Sequence, residues 1–187
     1  MIIISIMAFF VIITKKQVYT NMNNQSFLDE IKAIYKNNQS SIESALKGLN
    51  EADLNKKSNP DNWSILECLE HLNIYARYYQ PAIKNAIQNA IQNAKKGDAL
   101  ANYKSGWFGK MSIEGIRPSN TKPQKTLKKY NPAASQLTLS VVEEFENNEA
   151  KWAEIIEMAY AVNINQRAVP VEFLKLIKMK IGDALCF

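Results

Sequence analysis

Glycine and proline, the residues that interrupt regular structure, are scarce in this chain, with six of each in 187 residues. Several long stretches contain neither, which favours helices over a fold of short strands and turns. The length suits one domain with a real core. Hydrophobic residues at 47% and charged residues at 22% are the balance of a soluble globular protein. Two cysteines, Cys68 and Cys186, cannot make a disulfide framework and read as small buried apolar residues.

Apolar periodicity predicts three long helices. The first runs from about Ser26 to Leu49, with Phe27, Ile31, Ile34, Ile42, Ala45 and Leu49 as one stripe. Ser26 is its expected cap, and Asn50 to Asn62 a polar connection carrying Pro60. The second opens on Ser64-Ile65-Leu66-Glu67, the Ser-x-x-Glu form of a capping box, and continues to Lys95. Ile65, Leu69, Leu72, Ala76, Tyr79, Ile83, Ala86 and Ala90 share one face of an ideal helix. Pro81 is expected to kink it near Arg77. A loop of over thirty residues follows Gly97, with room for short helical turns. The third helix is expected from Pro132 to Ala161, with Leu137, Val141, Phe145, Trp152, Ile155, Ile156 and Ala159 inward. Residues Val162 to Lys180 mix β-branched residues with Pro170, and their pattern selects no one structure. Three apolar stripes need a fourth helix to cover them.

Net charge is +5, and its excess is local. Between Ala101 and Asn131, Lys104, Lys110, Arg117, Lys122, Lys125, Lys128 and Lys129 face only Glu114, seven minus one, or +6. These lysines near Trp107, Phe108 and Tyr130 could serve an acidic partner such as nucleic acid. No recognised binding motif accompanies them, so nucleic acid is not the expected partner.

Both ends depart from this pattern. Ile2 to Ile13 is apolar except for Ser5 and is short for a spanning helix. It lacks the leading charge and cleavage site of a secretory signal. The domain is therefore read as residues 22–187, with 1–21 an extension ahead of a start at Met22 and a cytoplasmic location. The alternative is a membrane anchor through residues 2–14. At the other end, Gly182-Asp183-Ala184-Leu185-Cys186-Phe187 reads as a helix opening, with Asp183 as a plausible cap. The expectation is a chain cut off within its fourth helix, whose uncovered core face invites a homodimer.

His71 is the one histidine, so whatever it does, no second imidazole assists it. It lies on the flank of the second helix, about −120° from the centre of the apolar face. Cys68, Tyr75 and Ala82 share that flank, with Glu67 one turn earlier. An imidazole there can point into a bundle, but zinc wants three protein ligands. Neither a Ser/His/Asp arrangement nor a Gly-rich phosphate loop is present.

The segment Trp63-Ser64-Ile65-Leu66-Glu67-Cys68-Leu69-Glu70-His71-Leu72, of the form Trp-Ser-x-x-Glu-x-x-x-His-Leu, resembles the DinB/YfiT-like family. Lys178-Met179-Lys180-Ile181-Gly182-Asp183-Ala184-Leu185 is similar to the lead-in to that family's last helix. The resemblance implies an all-α, up-down four-helix bundle with most of the fourth helix missing. It also implies a divalent metal, zinc or nickel, held by three histidines, of which His71 matches the first. The other two would come from a His-x-x-x-His that this sequence lacks. Family activities imply a metal-dependent hydrolase or thiol S-transferase acting with a small-molecule thiol. With two of three ligands absent, this chain is expected to be inactive or metal-poor. The alternative is a non-catalytic helical protein binding an acidic partner through residues 101–131.

Overall fold

The computed structural model describes residues 22–95, 97–116, 126–133 and 136–186. The expectations for residues 1–21 and for Arg117, Lys122 and Lys125 fall outside them. The fold is helical, as its breaker-poor sequence requires. Helix α1 spans Asn24–Leu46, α2 Glu51–Asn55, α3 Ile65–Gln92, α4 Trp107–Ile116, α5 Ser140–Ala159 and α6 Ile181–Leu185. Two antiparallel strand pairs accompany them: β1 (Met22–Asn23) with β2 (Asn102–Tyr103), and β3 (Arg167–Val171) with β4 (Leu174–Lys180). Among the described residues, no helix is long and apolar enough to cross a membrane.

Local chemistry sets the helix ends. Asn23, not Ser26, caps α1: its Oδ1 accepts the Ser26 N–H at 2.7 Å, so the helix starts two residues earlier than its stripe suggests. It ends at Leu46, because Gly48 turns the chain at φ +80°. The connection after it contains α2, closed by a reciprocal box between Asn50 and Asp53. The box predicted at Ser64 and Glu67 is present, and α3 runs through Pro81 to Gln92.

Helix α5 begins at Ser140, eight residues after Pro132. Side chains of α2 claim the backbone in between: Asn55 Nδ2 donates to the Leu137 carbonyl (3.1 Å), and Glu51 Oε2 accepts the Leu139 N–H (3.1 Å). The segment from Val162 onward turns back as the β3–β4 hairpin, with Val169 opposite Met179. Burial alternates along β3, which places Val169 and Val171 inward.

The most extensive helix pair is α3 with α5; α1 packs on α5, and β3 and α6 lie against α3. The larger core joins Phe27, Leu28 and Ile31 to Ile83, Ile87, Ile156 and the residues of β3 and α6. A smaller one at the start of α3 gathers Ile42, Leu54, Leu66, Leu69, Val141 and Phe145. Buried amides cross between the two main helices. Asn73 Nδ2 donates to the Val141 carbonyl (3.0 Å), Asn148 Nδ2 to Asn73 Oδ1 (3.0 Å), and Gln80 Nε2 to the Asn148 carbonyl (2.8 Å).

Asp183 is not the cap of α6. It lies in the first turn, 1% exposed, and collects donors from the chain before α4. Tyr103 Oη donates to Oδ1 at 2.6 Å, Ser105 Oγ to Oδ1 at 2.9 Å, and the Gly106 N–H to Oδ2 at 3.0 Å. Gly109 of α4 meets the same side chain: a Cβ there would lie 2.2 Å from Asp183 Cγ.

Candidate metal-ligand site at His71

The site grows from the capped start of α3. Ser64 donates its N–H to Glu67 Oε2 (2.7 Å), and Glu67 returns its N–H to Ser64 Oγ (3.2 Å). Lys57 Nζ closes on Glu67 Oε1 at 2.8 Å. Glu67 is thus spent on the cap and on Lys57, and no bond joins it to the imidazole one turn on.

The support of His71 comes from far away in sequence. Its Nδ1 lies 2.7 Å from the carbonyl oxygen of Tyr130. A carbonyl only accepts, so Nδ1 carries the proton and Nε2 keeps its lone pair. Burial pushes the imidazole down to about 4, which leaves it neutral at pH 7. A neutral ring fixed through one nitrogen by a backbone carbonyl is the usual state of a metal-ligating histidine.

Aromatic rings pack around it. Trp63 lies 4.8 Å from the imidazole between centroids, tilted by 54°, and Tyr75 meets it edge-on at 5.0 Å. Tyr75 stacks on Tyr130 at 4.7 Å. Lys129 holds the outside of that stack, with Nζ 4.6 Å from the Tyr130 ring centroid and 2.8 Å from Glu172 Oε1. A short 3-10 turn, Lys128–Tyr130, therefore delivers the carbonyl that orients the histidine.

The remaining donors do not complete a metal set. Cys68 is buried, and burial followed by the Glu67 charge pushes its thiol up to about 11, so it stays protonated. Among the described residues, no group of three His, Cys, Asp or Glu side chains could hold a metal ion. Among the described residues the site offers one prepared nitrogen where zinc requires about three protein ligands, so these residues do not by themselves complete a resident metal site.

Sequence reasoning found His71 and its flank, Cys68 and Tyr75. It missed Tyr130, whose contribution is a backbone carbonyl that no side-chain pattern announces. Trp63 belongs to the signature, but the signature does not reveal it as a wall against the imidazole. No curated protein and no solved structure matches the chain. The family model of the DinB superfamily matches residues 34–185, and the chain belongs to that superfamily.

Proposed function

We propose that this protein is a DinB-type metal-associated protein in which His71 presents a single ligand, Nε2, to a divalent ion. By kinship its reaction class is hydrolysis or thiol S-transfer. The observation that carries the reading is the 2.7 Å contact of Nδ1 with the Tyr130 carbonyl, which fixes the tautomer and leaves Nε2 as the reactive nitrogen. One imidazole gives weak binding, so no catalytic step is assigned to this chain's residues.

Equilibrium dialysis against zinc tests this. The expected outcome is weak, sub-stoichiometric zinc retention that His71→Ala abolishes. Tight one-to-one zinc, or retention unchanged in His71→Ala, would overturn the reading. The alternative of an acidic partner at residues 101–131 gains less support. Tyr130 is buried and Phe108 packs on the core, leaving Trp107, 74% exposed, as the aromatic open to a base.

A further inference from the structure

Between α1, α3, α5 and the last turn of α6 lies a cavity of about 130 Å³. Most of its wall is aliphatic or aromatic, with Tyr35, Tyr75, Tyr79 and Trp152 among the rings. Among the described residues that line it, Glu149 alone has a formally charged side chain. Cys186, which also lines it, is pushed far up by burial and is uncharged.

Two amides that line the cavity beside Glu149 are engaged elsewhere. Asn73 and Asn148 bond to one another and to the backbone. Glu149 itself has no hydrogen-bond or ion-pair partner among the described residues, and burial alone pushes its carboxyl up, to about 7. The carboxyl is half-buried at the cavity wall, where desolvation still costs the charged form, and a glutamate on the inner side of α5 is not required to fill space.

Four kinds of occupant can be weighed. An anion would be repelled by Glu149. A divalent metal would find one carboxyl and no second charged ligand. A hydrocarbon would fill the volume and leave the carboxyl unpaired. A small organic cation satisfies both wall and charge, since aromatic rings attract cations. Tyr35 and Trp152 stand with centroids 6.0 Å apart, tilted by 45°, on the two helices that flank the carboxyl.

We propose that this cavity is a binding site for a small alkylammonium ion, with Glu149 as counter-ion and Tyr35 and Trp152 as aromatic walls. A protein cavity of about 150 Å³ accepts benzene, so this one suits a ligand of about five heavy atoms. Binding favours the ionised carboxyl. The site is independent of the reading given to His71.

The test uses the full chain at pH 8, with n-butylammonium chloride and 1-butanol as matched probes, followed by calorimetry and by tryptophan fluorescence. Butylammonium should bind saturably and at least about tenfold more tightly than the alcohol, the scale of one desolvated cation–aromatic and charge pairing. Glu149→Gln should bring it down to the level of 1-butanol, while Glu146→Gln, an exposed glutamate on the same helix, should leave it unchanged. Equal affinity for the two probes would overturn the proposal and mark the cavity as merely apolar. Absence of saturable butylammonium binding, or binding unaffected by Glu149→Gln, would overturn it equally. Should Glu149→Gln not fold, the ratio between the probes on the unmodified chain decides alone.

Discussion

Two side chains hold their protons in opposite ways, and each makes stability depend on pH with its own sign. His71 ordinarily titrates at 6.5 but is held down to about 4 by burial. The unfolded chain takes up a proton in that window that the folded chain refuses. The stability is present above 6.5 and is lost as pH falls toward 4. Because this is the one histidine, its ring resonances can be followed by NMR without assignment, and the expected midpoint is near 4. A midpoint at 6.5 would mean that the ring is solvated. Glu149 goes the other way, from 4.5 to about 7 by burial. Its contribution is present below 4.5 and is lost as pH rises through 7. Glu149→Gln should therefore be more stable than the parent at pH 8, by on the order of 1 kcal/mol after solvent screening. Urea denaturation at pH 5 and pH 8 measures both, with the gain confined to pH 8.

At the scale of elements, the α3–α5 pair carries a buried amide ladder and an exposed ionic bridge, and their strengths should differ. Arg77 spans Glu70 (2.8 Å) and Glu144 (2.6 Å) with its side chain about half exposed. Such bridges contribute about 0–1 kcal/mol. Asn73 is fully buried, and its loss would strand the Val141 carbonyl and the Asn148 amide. We expect Asn73→Ala to cost about 2–3 kcal/mol and Arg77→Ala less than about 1 kcal/mol; equal losses in chemical denaturation would refute the distinction. The same pair shows what a sequence can reveal. The stripes of α3 and α5 and the box at Ser64 were legible because period and capping are local properties. On α1, by contrast, the expected Ala45 and Leu49 are exposed and Leu28, outside the expected stripe, is buried, because the core against this helix gathers at Phe27, Leu28 and Ile31. The start of α5 was not legible, because Glu51 and Asn55 of another helix decide it. The hairpin at 167–180 was ambiguous for a related reason: its strands make sense only once paired and laid on α3. Glu149 did carry a signal, four residues after Phe145 and three before Trp152, both on the inner face.

For the whole molecule, Asp183 is the place where distant parts of the chain are tied. Strand β2, the turn at Ser105–Gly106, helix α4 and helix α6 converge on one buried carboxyl. Asp183→Ala would leave the buried Tyr103 hydroxyl and the Gly106 N–H without their acceptor, and should cost roughly 3 kcal/mol of global stability. It should also raise amide exchange around residues 102–110 more than in α1. Uniform exchange would show that the carboxyl does not organise that region. Family kinship was legible through one ten-residue signature, whereas this junction was not: Asp183 resembled a helix cap, and its donors lie about eighty residues earlier.

The indole of Trp63 resting against the imidazole of His71 gives the molecule an optical readout of its own. Whatever occupies Nε2, a proton or an ion, brings positive charge beside that ring and alters its emission. With Trp107 and Trp152 replaced by phenylalanine, light from the remaining chromophore would follow occupancy of the nitrogen directly, with no label attached.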